Sequence, residues 1–207
     1  MIYGALEAGG TKMICAICKE NGEIIEQCSI PTISPDETIP AIIAYFKDKG
    51  IAALGIACFG PIDLHKSSPT YGYITSTPKV KWQNYPILPV IQKALSVPCG
   101  FDTDVNGSLL GEVSYGASRG IENAVYITIG TGIGGGVLSN GKLLHGMLHP
   151  ELGHMTMVPH ERDHFQGICP FHKNCLEGMA SGPAMEARYG KKADTLSEIP
   201  MVWEMEA

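Results

Sequence analysis

The sequence predicts an α/β protein of duplicated design, with two lobes facing each other across a cleft and the second lobe incomplete. Three observations carry that expectation. Strand, glycine-hydroxyl loop, strand, Asn-Gly turn and strand follow one another over residues 2–30, and the same order recurs from Ala124. Internal repetition of this kind says more about architecture than any single motif. Between the two copies, helical and strand patterns alternate, as they do in α/β folds. Finally, 207 residues that are 44% hydrophobic and 17% charged carry enough apolar mass for a packed core.

Taken in order, "IYGALEAG" reads as a strand, "GGT" as a loop, "KMICAICK" as a second strand, and Asn21-Gly22 as the turn into "EIIEQCSI". Ser34 and Glu37 are spaced as a capping box ahead of a helix that lines up Ile39, Ile42, Ile43 and Phe46 on one face. Pro40 is tolerable only in a first turn, which places the helix start near Asp36. "IAALGIACFG" is a buried strand closing at Gly60-Pro61, residues 86–96 a short helix, and "VPCGFDTD" a strand ending at Asp104. A helix follows over "VNGSLLGEVSYG". The second copy runs through "AVYITIG", "TGIGGG" and "VLSNGKLL", where Asn140-Gly141 makes the turn. The lobes are expected at 1–115 and 116–207. After Leu144 the second copy has no counterpart to the later strands of the first, and the chain closes in an amphipathic helical pattern, "IPMVWEMEA". The expectation is of a chain truncated at its C-terminus.

Charge and cysteine usage bound the function. A net charge of −6 argues against nucleic acid or an anionic membrane as the main partner. The 25 glycines exceed the roughly 7% of an average chain and cluster in loops, where backbone comes close to a ligand. Neither a membrane span nor a signal peptide is legible, so a soluble, cytoplasmic protein is expected. Seven cysteines is an odd number, and most lie in apolar stretches, where thiols behave as small hydrophobes. Cys15 and Cys18 form a CxxC, but residues three apart on a strand point to opposite faces, so a core role is expected.

Three features point to chemistry. "EAGGTK" and "TGIGGG" suit phosphate contacts through backbone N–H groups, although neither is a Walker loop or a dinucleotide fingerprint. Asp104 lies at the C-terminal end of a strand, where open α/β sheets place ligands, although an Asp there can also be a helix N-cap. Cys169, His172 and Cys175 are spaced as metal ligands, whereas His145, His149, His160 and His164 read as surface residues.

Together, "EAGGTK", "FGPID", "DTDVNGSLLGE", "ITIGTGIGGG", "HPELGH" and "CPFHKNCLEG" resemble the ROK family of sugar kinases, and the last two resemble its bacterial fructokinase branch. The resemblance implies an actin-like ATPase (ribonuclease H-like) fold and ATP-dependent phosphorylation of a hexose, with fructose to fructose 6-phosphate expected first. Glucose, mannose or an N-acylmannosamine are the alternatives, and so is an inactive fragment. It implies Asp104 as general base; Gly9, Gly10, Thr11, Lys12, Thr131, Gly132 and Pro183 at the nucleotide; and Gly60, Pro61, Thr103, Glu151 and Glu177 at the sugar. It adds His154 as the fourth ligand of a structural zinc site with Cys169, His172 and Cys175. Mg²⁺ accompanies ATP, and a homodimer is implied for the full-length form. Glu7 stands where the family motif has Asp. Repressors resembling the family carry a helix-turn-helix ahead of the first glycine loop, which here begins at Gly9.

Overall fold

The computed structural model describes residues 1–146 and 150–196; the expectations for His149 and for a helix over "IPMVWEMEA" lie outside the described residues. The elements are β1 (Ile2–Ala8), β2 (Lys12–Lys19), β3 (Ile24–Pro31), α1 (Pro35–Phe46), β4 (Leu54–Cys58), α2 (Ile87–Leu95), β5 (Cys99–Thr103) and α3 (Asp104–Tyr115), followed by β6 (Ala124–Ile129), β7 (Ile133–Ser139), β8 (Lys142–Leu143), α4 (Leu176–Ala180) and α5 (Gly182–Tyr189).

The first sheet has the order β3-β2-β1-β4-β5. Its first three strands are an antiparallel meander, and β1, β4 and β5 run parallel. Parallel pairing requires crossovers, and α1 and α2 supply them. The second sheet, β6-β7-β8, is an antiparallel meander like the first three strands. Its Asn140-Gly141 turn holds φ values of 50° and 70°, the positive pair that a two-residue hairpin turn of the primed type needs.

Strand β1 shows how the sequence sorts its faces. Gly4, Leu6 and Ala8 are buried, while Ala5 and Glu7 between them are exposed. The buried set joins Ile39, Ile42 and Phe46 of α1 and Ile87 and Ile91 of α2 in one core. Cys15 is in that core, and Cys18 is half-buried with its thiol directed at the Tyr3 carbonyl, so the CxxC pair is divided between faces as expected.

Three local expectations are corrected. Ser34 is the N-cap of α1, but its hydroxyl donates to the Glu37 carboxylate at 2.8 Å instead of accepting a helix N–H. Helix α1 begins at Pro35, which leaves Pro40 beyond the first turn. Pro40 faces solvent, and burial of Ile39, Ile42 and Phe46 against the sheet outweighs a local penalty of about 3 kcal/mol. Strand β5 stops at Thr103, and Asp104 is the first residue of α3.

Helix α3 lies between the two sheets, packed on β1 and β4 on one side and on β6 and β7 on the other. Two of the three glycines of β7, Gly134 and Gly136, explain that approach. A Cβ on Gly136 would stand 2.9 Å from both the Asn106 side-chain oxygen and the Val105 carbonyl. On Gly134 it would stand 3.0 Å from Val105, and on Gly135, facing the other way, it would run into Leu152. The alternation is that of a strand, so most of "TGIGGG" serves packing rather than phosphate. On β6, Val125, Ile127 and Ile129 are exposed, leaving one face of the second sheet open among the described residues. No helix among the described residues is long and apolar enough to cross a membrane.

Candidate active site

Between the lobes lies a cavity of about 900 Å³. From the first lobe it is lined by Gly60, Pro61, Thr103 and Asp104, and from the second by Thr131, Gly132, Glu151 and Glu177, with His154 at its wall. Residues more than a hundred positions apart in sequence therefore share one space.

Asp104 is placed by the β5–α3 turn. The Thr103 hydroxyl accepts the Asn106 N–H at 3.2 Å and caps the helix, and one Asp104 carboxylate oxygen accepts the Val105 N–H at 2.9 Å. The carboxylate thus sits at a helix N-terminus, where the backbone dipoles favour negative charge. Burial, together with the nearby Asp104 charge, pushes the Cys58 thiol above its usual range. The Gly60-Pro61 peptide is cis, and the Pro61 carbonyl accepts hydrogen bonds from the Thr75 N–H and hydroxyl.

In the second lobe, Gly130 donates to the Gly132 carbonyl at 2.9 Å to close the turn that presents Thr131. One Glu177 oxygen accepts the Ile133 N–H at 2.9 Å, so this carboxylate braces the turn. Glu151 lines the cavity from a left-handed backbone conformation, φ 51° and ψ 47°.

Other expected residues lie outside that lining. Gly9, Gly10 and Thr11 form the β1–β2 loop and Lys12 opens β2, but none of the four lines the cavity. Pro183, in the first turn of α5, does not line it either, although its neighbour Gly182 donates to the Gly130 carbonyl at 2.8 Å. Sequence reading also missed Lys79. Its Cε would lie 2.8 Å from a Cβ on Gly10, so a second cationic side chain stands over the first glycine loop. The loop and Lys79 are joined only by the fold, and no local pattern announces the pair.

His154, Cys169, His172 and Cys175 converge, with all four candidate ligand atoms within 4.8 Å of one another. His154 Nδ1 lies 3.9 Å from Cys169 Sγ and 3.6 Å from Cys175 Sγ, and His172 Nδ1 lies 3.9 Å from Cys169 Sγ. Tetrahedral zinc, with Zn–S of about 2.3 Å and Zn–N of about 2.0–2.1 Å, spaces its sulfur and nitrogen ligands about 3.6 Å apart. The four residues fit that ion. Burial opposes ionisation of Cys169, yet the N–H groups of His172 and Phe171 outweigh it and hold its thiol below the usual range. Cys175 also caps α4, accepting the Gly178 N–H at 3.4 Å, so the cluster fixes the helix start that bears Glu177. His154 ends the short 3-10 turn that follows Glu151. A buried pair, Arg188–Asp163 at 3.1 Å, ties α5 to the loop between His154 and Cys169.

His160 and His164 are exposed, as expected. His145 is partly exposed too, but it is engaged. Its Nε2 lies 2.7 Å from Asp102 Oδ2, across the two lobes.

The profile of the ROK family matches residues 3–204. The chain is 49% identical over 205 residues to the fructokinase of Lactococcus lactis subsp. cremoris, covering 98% of this chain and 69% of the relative. It is 46% identical to the fructokinase of Streptococcus mutans serotype c, covering all of this chain and 71% of the relative. Among solved structures it is similar to a ROK family glucokinase from Streptomyces griseus in complex with glucose and AMPPNP. That match has a TM-score of 0.73 at 26% identity and covers 90% of this chain and 59% of that one.

Proposed function

The chain belongs to the ROK family, and from that premise we propose that it catalyses ATP-dependent phosphorylation of fructose to fructose 6-phosphate. The observation that carries this reading is the cavity of about 900 Å³ in which Asp104 of one lobe faces Thr131, Gly132, Glu151 and Glu177 of the other. A carboxylate opposite a glycine turn is the arrangement that transfer from a nucleotide to a sugar hydroxyl requires.

In this reading Glu151 accepts hydrogen bonds from the sugar hydroxyls, with the free oxygen of Glu177 beside it, and Gly60, Pro61 and Thr103 shape the opposite wall. Asp104 takes the proton of the attacking hydroxyl as its oxygen bonds to the γ-phosphorus and the bond to the ADP oxygen breaks. Little covalent work falls to the protein in such a transfer, and positioning and charge neutralisation dominate. The Gly130–Gly132 turn supplies N–H groups on the second-lobe side. The Gly9–Lys12 loop, with Lys79 beside it, supplies N–H groups and positive charge on the first. Pro183 is assigned to the nucleotide side through its place beside the Gly130 turn.

Mg²⁺ bound with ATP would neutralise phosphate charge. Glu7, near the end of the strand that leads into the first glycine loop, is the side chain suited to hold it through water. Zinc in the Cys2His2 cluster would be structural, since four protein ligands leave no open position for catalysis. The lobes divide at 115/116 in this scheme, and a homodimer is assigned to the full-length form. The test is an ADP-release assay with fructose, glucose, mannose and N-acetylmannosamine, where fructose is expected to give the highest kcat/KM. A higher value for any other hexose would overturn the substrate assignment.

A further inference from the structure

Asp102 is a hub that the mechanism above does not use. It precedes Thr103 and Asp104 on the turn that carries the base. Its Oδ1 accepts the Thr103 N–H at 2.8 Å and the Asn106 amide at 2.7 Å, and its Oδ2 meets His145 Nε2 at 2.7 Å. A contact of 2.7 Å with a carboxylate requires the proton on Nε2. The Asn106 amide, 3.4 Å from the same nitrogen, therefore does not donate to it. Asn106 is fully buried between α3 and β7, so the hub is built into the junction of the lobes and does not float on the surface.

His145 comes from the other lobe, just after β8, and shares with Glu151 and Pro61 the lining of an adjoining cavity of about 480 Å³. Glu151 thus shares one cavity with His154 and another with His145. His154 belongs to the Cys/His cluster, and His145 is bonded to the carboxylate that fixes the turn bearing Asp104. We propose that His145 is a positioning residue that couples the sugar-binding Glu151 to the base Asp104 through Asp102. The coupling rests on the kinase reading for its catalytic consequence but not for its geometry. Fructose held by Glu151 is then held at a set distance from Asp104, and loss of the bond leaves the two halves of the site to align independently.

The test replaces His145 by Leu and by Gln, whose amide can still donate to Asp102. His145→Leu is expected to raise the fructose KM about 10-fold and lower kcat about 10-fold, within the reach of a misplacement of about 1 Å. The KM for ATP should stay within about twofold, because His145 lines its cavity with Pro61 and Glu151 and with no residue of either glycine loop. His145→Gln should recover most of the loss, and His145→Leu added to Asp102→Asn should cost much less than it does alone. Hydrogen exchange at residues 103–106 gives a reading that needs no turnover, and protection there should fall in His145→Leu and return in His145→Gln. Unchanged exchange would overturn the coupling. So would equal losses toward fructose and ATP with no rescue by Gln, which would mark a general loss of folding. Absence of fructose turnover in the unaltered protein would overturn the kinase reading alone.

Discussion

Glu151 holds φ at 51°, a conformation that costs about 1–2 kcal/mol for a residue with a Cβ. A glycine there would relieve the strain, so a carboxylate in that place has a use other than stability. In the proposed function that use is to accept hydrogen bonds from the sugar, and the residue does line the cleft. The two roles separate in a pair of substitutions. Glu151→Gly should raise Tm slightly and Glu151→Gln should leave it unchanged, while both weaken fructose binding. A hydrogen bond to a charged acceptor contributes about 1.5–3 kcal/mol, so the fructose Kd should rise by about 10- to 100-fold in calorimetry. Unaltered affinity would remove Glu151 from the sugar site. The sequence made this residue legible because Pro150 and His154 flank it in a recognisable motif. It could not reveal the left-handed backbone.

Between the residue and the lobe stands the Cys/His cluster, whose members were largely legible from spacing. Cys169, His172 and Cys175 announce themselves locally, whereas His154 is supplied only by the fold or by family likeness. The cluster closes a loop that Arg188 and Asp163 clamp from α5, with the guanidinium also 4.7 Å from the Phe165 ring. Such a site contributes folding free energy directly when metal is bound. One zinc per chain is expected by mass spectrometry of protein purified without added metal. Chelation or Cys175→Ser should then release the Glu151 loop and the start of α4 together. Fructose affinity should fall by about 10-fold or more before binding at the glycine loops changes. Substoichiometric zinc, or sugar affinity indifferent to its removal, would leave the cluster without that role. The "GGG" of β7 serves a purpose its local pattern does not show. Its glycines looked like part of a phosphate loop, and two of them instead admit α3 to the sheet, a requirement visible only once the helix is in place.

On the scale of the whole molecule, two meanders and one α/β crossover set were legible because alternation, Asn-Gly turns and repetition are all short-range signals. Contacts between segments distant in sequence were not. Lys79 over Gly10, His145 on Asp102 and Asn106 against β7 depend on where the chain returns, which no local period encodes. The same fact explains why Pro40 misled: a local rule was outweighed by burial on the opposite face of α1. What the fold does with these joints is bring Asp104 into a cavity whose other wall holds Thr131, Gly132, Glu151 and Glu177. Replacing Asp104 with Asn tests that arrangement most directly, because the amide keeps shape and helix-end hydrogen bonding but cannot take the proton. Turnover of fructose with Mg-ATP, measured beside fructose affinity in the same preparation, should show kcat reduced by about 10²–10⁴ with Kd changed by no more than a few-fold. Undiminished kcat in Asp104→Asn, with fructose still bound, would contradict the assignment of the base and with it the functional reading of the cleft.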